Sequence, residues 1–239
     1  LGSQAVNELW DNLGDEYFLR FLPEEIVWHT EAILTQKDTN QPVVLMRDMP
    51  IRGGTDLFIY TRTYDTLFLQ ATSLLERNNV TIMDARIFKT PDGYSLDSFQ
   101  ITGHDFKPLE ETGQALHLLE QLQKTIGHAA ATIPEVTRQL PRQIKQFKFP
   151  TQVEFEQIES QQRTVMHVKA LDRPGLLSRI AQALHHCDIY LSNARVATYG
   201  ERAEDIFYIT DKNEQPIHDS AQLNCLAQTI SELLNHQEH

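Results

Sequence analysis

The sequence predicts an α+β chain built as two tandem ferredoxin-like domains, each an antiparallel four-stranded sheet with two helices on one face, preceded by a helical connector. Three observations predict it. Sliding the sequence against itself by 109 residues sets Asp84-Ala85-Arg86-Ile87 on Asn193-Ala194-Arg195-Val196, and sets Leu67, Phe68, Ala71 and Leu75 on Leu176, Leu177, Ile180 and Leu184. Both copies run strand, strand, helix, strand, strand, helix. In the third strand of each copy the apolar alternation slips by one residue, at Asp84 and at Asn193, as a β-bulge would make it do.

The connector covers residues 1–40. Its run "EEIVWHTEAIL" spaces Ile26, His29 and Ile33 on one helical face behind a leading acidic pair. We read it as a link to sequence upstream, with Ile26, Trp28 and His29 awaiting a partner outside the chain. The first unit, 41–127, opens with "PVVLMRDM" and "TDLFIYT" as strands, and a helix follows from Leu67. Its hairpin turns at Pro91-Asp92-Gly93, where proline presets one dihedral and glycine admits a positive φ. The leading strand is expected at the sheet position that the final strand fills in the usual ferredoxin-like order.

Residues 128–150 form a basic linker carrying Arg138, Arg142, Lys145 and Lys148, read as a solvated segment or as a surface for an acidic partner. The second unit, 151–239, repeats the pattern with "TQVEFEQI", "TVMHVKAL" and a helix from Leu176. In register, Asp97, Phe99, Ile101 and Thr102 coincide with Asp205, Phe207, Ile209 and Thr210 after a one-residue gap. Outward positions Ile206 and Tyr208 replace Ser98 and Gln100, which predicts that the second unit packs against something there.

A net charge of −12 repels a phosphate backbone and argues against nucleic-acid binding. No apolar run reaches bilayer length, so the expectation is a cytoplasmic chain without membrane association. Cys187 and Cys225 lack metal or redox spacing and are expected as buried reduced thiols. His104-Asp105 and His218-Asp219 lack helical partners that would complete a metal site, and His185-His186-Cys187 point in different directions near a helix end. No Asp-x-Asp, serine elbow or phosphate-binding loop appears, so no catalytic residue, metal site or cofactor is assigned to this chain.

The informative stretch is "LDRPGLLSRIAQALHHCDIYLSNARV", Leu171 to Val196. Asp172 can cap the helix, Pro174 suits its first turn, and Gly175 permits close approach of a ligand to backbone amides that would hold a carboxylate.

"DRPGLLSRIAQAL" followed by "NARVATYGERAEDIFYIT" resembles an ACT domain, the amino-acid-sensing module of many metabolic enzymes. More narrowly, "RGGTDLFIY", "DARIFKTPDG", "LPRQIKQFKFPTQVEF" and "GERAEDIF" are similar to the tandem ACT region of the bifunctional uridylyltransferase/uridylyl-removing enzymes that modify the PII nitrogen-signalling protein. The resemblance implies a parent with nucleotidyltransferase and His-Asp phosphohydrolase domains that uses magnesium and UTP. It implies that this region reads glutamine or another small amino acid, acts on PII through the parent, and forms a homodimer. The family's ligand loop falls on Asp172, Arg173, Pro174, Gly175, Leu176 and Leu177, with Asn193 and Ala194 on the neighbouring strand. Asn193 suits a side-chain amide because it offers both a donor and an acceptor. The first copy's "TRTYDT", Thr61 to Thr66, lacks the Pro-Gly pair, so it is read as a packing partner whose Asp84 faces the second copy's site. A protein-docking or dimerisation scaffold with degenerate loops is the alternative.

Overall fold

A computed structural model describes residues 2–38, 41–48, 53–62, 66–103, 107–109, 113–126, 128, 149–158, 163–199 and 202–235. The basic linker residues Arg138, Arg142, Lys145 and Lys148, and the His104-Asp105 pair, lie outside the described residues.

The repeat is visible element by element. Strands β1 (Val43–Asp48) and β2 (Thr55–Arg62), helix α3 (Leu67–Arg77), strands β3 (Thr81–Lys89) and β4 (Tyr94–Thr102) and helix α4 (Gly113–Thr125) form the first unit. In the second, β5 (Gln152–Ile158), β6 (Arg163–Leu171), α5 (Leu176–His186), β7 (Tyr190–Arg195), β9 (Arg202–Thr210) and α6 (Ser220–Asn235) answer them, and a two-residue strand β8 (Thr198–Tyr199) is added. The leading strand of each unit pairs with its second strand, as expected. The bulges fall between Ile82 and Asp84 and between Leu191 and Asn193.

Pairing of β3 with β7 joins the two sheets into one, in the order β1-β2-β4-β3-β7-β9-β6-β5, with β8 beside β9. The seam sets Arg86 opposite Arg195, equivalent residues of the repeat, so a pseudo-twofold axis passes between them. Helices α3 to α6 cover one face around a single core that includes Leu75, Phe99, Ile180 and Phe207. The alternation of the strands supplies that core from one side only, and helix periodicity supplies the other.

The connector departs from expectation. Helices α1 (Ser3–Phe18) and α2 (Pro23–Thr35) cover the opposite face of the first unit and build a second core with Val43, Phe58, Phe88 and Leu96. His29 is buried, its ring stacked on Phe58 at 4.3 Å, and its Nδ1 lies 2.8 Å from the Tyr17 hydroxyl. Burial drives its pKa down to about 3, so the ring is neutral. Ile26, Trp28 and His29 therefore find their partners within the chain, while Trp10, Leu19, Leu22 and Val27 are the exposed large apolar residues of this segment. The helix is phased by its contact with Phe58, which periodicity alone does not report.

Glu25 fixes that docking. It accepts the Leu22 amide at 2.7 Å, in half of a capping box, and receives Arg86 Nη2 at 2.6 Å and Nη1 at 3.2 Å. The connector also reaches the second unit, where Arg163 Nη1 lies 3.3 Å from Glu16 Oε1.

Cys187 and Cys225 form a disulfide, which overturns the expectation of reduced thiols. Packing of α5 on α6 brings their Cα atoms to 6.2 Å, within bonding reach, although 38 residues separate them in sequence. Closing a loop of that length stabilises by about 3–4 kcal/mol in the chain-entropy treatment. Reduction, or Cys225→Ser, is expected to lower the melting temperature by several degrees, measured by circular dichroism with and without reductant; an unchanged midpoint would show that the bond adds nothing.

Candidate ligand-binding site

The loop after β6 leads into α5 through Gly175, which takes φ 83° and ψ 6° at the cap position. That left-handed conformation, which side-chain-bearing residues resist, is the reason for glycine here. Asp172 does not cap the helix: no side chain bonds the helix start from the cap residue, and Pro174 stands before the cap rather than in the first turn. Asp172, Arg173 and Pro174 are half-buried, whereas the side chains of Leu176 and Leu177 point into the main core.

The helix-start amides are instead taken by a carboxylate from the first unit. Glu76, at the end of α3, accepts the Ser178 hydroxyl at 2.6 Å, and the Ser178 and Gly175 amides also bond it. Burial raises the Glu76 pKa to about 7, against the lowering pull of these bonds and of Arg179. The repeat does not reproduce this contact, since Glu76 corresponds to His185 and Ser178 to Leu69.

Asp205 is the second unanticipated group. It sits in β9 at an inward position between Ala203 and Phe207, is 1% exposed, and accepts the Ala197 amide at 3.2 Å through Oδ1. Its Oδ2 has no hydrogen-bond partner. Burial raises its pKa to about 7, and the charge of Asp172 adds to the rise. Asp97 is its counterpart in the first unit, equally buried, bonded by the Ser95 hydroxyl, with pKa also raised to about 7 by burial.

The strand registers divide the predicted residues. Asn193 pairs with Tyr208, which pairs with Val165, about seven residues or roughly 20 Å of strand from Asp172. Continuing the Arg86–Arg195 register sets Asn193 opposite Phe88, beside the end of β2, and sets Asp84 opposite Ala197, at the end where Asp172 lies. The structure thus brings together Asp172 to Leu177, Glu76 and Asp205 near the Asp84 bulge, and carries Asn193 and Ala194 to the twofold-related position, opposite Phe88 and its neighbours. His218 and Asp219 are exposed, and Asp219 accepts the Ala221 amide at the start of α6. Among the described residues no group of three or more metal-ligating side chains converges, and no helix is long and apolar enough to cross a membrane.

Comparison with known proteins places the chain. The bifunctional uridylyltransferase/uridylyl-removing enzyme of Methylococcus capsulatus is 38% identical over 237 residues, 99% of this chain. The Pseudomonas fluorescens and Pseudomonas entomophila enzymes of the same description are each 35% identical over 96% of it. The chain is a homologue of part of these enzymes. It spans about a quarter of their length, 27% of the Methylococcus capsulatus enzyme and 26% of the Pseudomonas ones. The family described as Uridylyltransferase GlnD fifth domain matches residues 1–32, within the connector. Among solved structures, aspartate kinase from Synechocystis aligns over 77% of this chain and 28% of that one with a TM-score of 0.43 and 15% identity, too slight a likeness to carry an argument. The paired ferredoxin-like units and the connector lie within one homologous stretch.

Proposed function

We propose that this chain is the glutamine-reading regulatory region of a cytoplasmic, homodimeric enzyme that attaches UMP to the PII protein, using magnesium and UTP in domains outside this chain, and removes it again. The observation that carries the reading is the junction of the units: their bulged strands β3 and β7 pair at Arg86 and Arg195, and Glu76 of the first unit bonds Ser178 beside the second unit's loop, so a ligand there would touch both halves. Asp172, Arg173, Pro174 and Gly175 shape the position in the second unit, while Asn193 and Ala194 serve its twofold relative in the first. Occupancy shifts the balance between two arrangements of the missing domains, a coupling of about 1–3 kcal/mol. The connector, ion-paired to both units through Glu25 and Glu16, is the element that reports it.

Glutamine at a hundred times its dissociation constant is expected to stabilise the protein by about 2.7 kcal/mol, read as a rise in melting temperature absent with alanine. No rise at millimolar glutamine would remove the sensing role.

A second reading rests on the outer face of the second unit. There a groove of about 290 Å³ is lined by His167, Lys169, Arg195, Glu204 and Ile206, and Arg195 is exposed where its counterpart Arg86 is sealed beneath α2. On that reading the face docks a protein, and Arg195→Glu abolishes capture of PII or of a second copy while glutamine changes nothing.

A further inference from the structure

Which end of an amino acid meets the second unit's loop follows from the charges already in place there. This inference rests on the sensing role proposed above and goes further, to the orientation of the ligand and the residues that choose it.

A helix start such as that of α5 ordinarily attracts anions, because its first amides point outward unpaired. Here that role is filled within the chain. Glu76 holds the Ser178 hydroxyl at 2.6 Å and the Ser178 and Gly175 amides, and the Leu176 amide is bonded to the Arg173 carbonyl at 3.1 Å. A ligand carboxylate brought to the same amides would meet Glu76 at contact distance, and like charges there repel strongly in buried surroundings. Arg179 is the cation nearest to Glu76 and is itself buried, so it supports the Glu76 charge in place.

On the other side of the loop the position is reversed. Asp205 is 1% exposed, leaves Oδ2 unbonded, and lies within the electrostatic reach of Asp172. A buried acceptor without a partner is costly, and two interacting carboxyls make the place favourable for a cation with several N–H donors. An ammonium group fits that description, with three.

We infer that Glu76 closes the helix start of the second unit to carboxylates, and that Asp205 with Asp172 takes the ligand's ammonium group, so that the loop recognises an amino acid by its amine end. The carboxylate then points away from α5, toward the β3–β7 seam. The second unit carries His185 at the position equivalent to Glu76, so the two loop positions differ in the ligand charge they accept.

The test is melting temperature and calorimetry at pH 8 on the full chain with three probes: glutamine, glutaminamide, which keeps the ammonium and loses the carboxylate, and N-acetylglutamine, which does the reverse. Glutaminamide is expected to match glutamine within a few-fold, and N-acetylglutamine to bind at least about tenfold more weakly. Asp205→Asn should weaken both amines by about tenfold or more, whereas Asp97→Asn, the same change in the first unit, should not. Stabilisation by N-acetylglutamine and not by glutaminamide would overturn the inference. If glutamine fails while glutaminamide or another primary amine binds in an Asp205-dependent way, the glutamine reading falls and the amine site stands; if no amine binds, both fall. Independently of any ligand, the Gly175 and Ser178 amide resonances should titrate with a midpoint near 7 in the native protein and not in Glu76→Gln. Amides indifferent to that substitution would remove Glu76 from the site.

Discussion

Glu25→Ala is expected to destabilise the protein by about 3 kcal/mol or more, because it strands Arg86 beneath α2 with its main counter-charge gone. The Glu25 side chain is 1% exposed and that of Arg86 16%, so water cannot replace the lost carboxylate well. Asp84, 3.2 Å from Arg86 Nε and 30% exposed, compensates in part and keeps the loss at the lower end of the range for buried pairs. Loss of the bond to the Leu22 amide removes a helix cap as well, typically worth about 1 kcal/mol. The effect can be followed where it arises, since both tryptophans, Trp10 and Trp28, lie in the connector. Tryptophan fluorescence should report an unfolding transition at lower urea than circular dichroism in the variant, the connector leaving before the sheet. Coincident transitions with a midpoint close to that of the native protein would mean that apolar packing alone holds α2. Removing both charges in Glu25→Leu/Arg86→Met should recover much of the loss, since a packed apolar pair leaves no buried charge.

The second large effect concerns pH. In the folded chain Asp97, Asp205 and Glu76 have pKa values raised to about 7 by burial, well above those of exposed carboxyls. Each therefore holds a proton in the folded state at a pH where the unfolded chain has released it. Their stabilising contribution is complete below the unfolded pKa, near 4, is lost as pH rises to about 7, and is constant above. His29 works in the opposite direction: neutral in the fold, it adds stability above about 6.5 that is lost as pH falls toward 3. Three groups against one make stability decline between about pH 4.5 and 7. Asp97→Asn, which keeps the acceptor for the Ser95 hydroxyl without the charge, is expected to raise stability at pH 8 by about 2–4 kcal/mol and to be nearly neutral at pH 4.5. Urea midpoints of native and variant proteins at the two pH values check this, and a gain that is the same at both would refute the ionisation account.

The repeat was legible in the sequence because helix and strand periodicities survive divergence, and the bulges were legible because one extra residue inverts an alternation. Asp205 could have been read too, since its alignment with Asp97 on the inward side of a strand marks a buried acid. Glu76 could not. Its position at a helix end is ordinary until α3 packs antiparallel to α5 and carries it to Ser178, a contact 102 residues apart in sequence. The joining of the sheets through β3 and β7 was hidden for the same reason, and with it the fact that Asn193 and Asp172 belong to different ends of the seam. The connector was misjudged because an amphipathic helix states that it needs a partner and not where that partner is.

Among the described residues the path of the sheet ends at two borders, β1 and β5. Unpaired strand backbones invite other chains to add on, and copies that did so at both borders would polymerise without limit. Here α4 attends β1, with Gln123 reaching the Val44 carbonyl at 3.5 Å, and β5 presents the exposed carboxylates Glu154 and Glu156 along its outer side. Two β5 strands meeting antiparallel would bring four of these acids onto one narrow strip, in a molecule already carrying −12. Open-ended growth of this region through the β5 border is thereby opposed by charge.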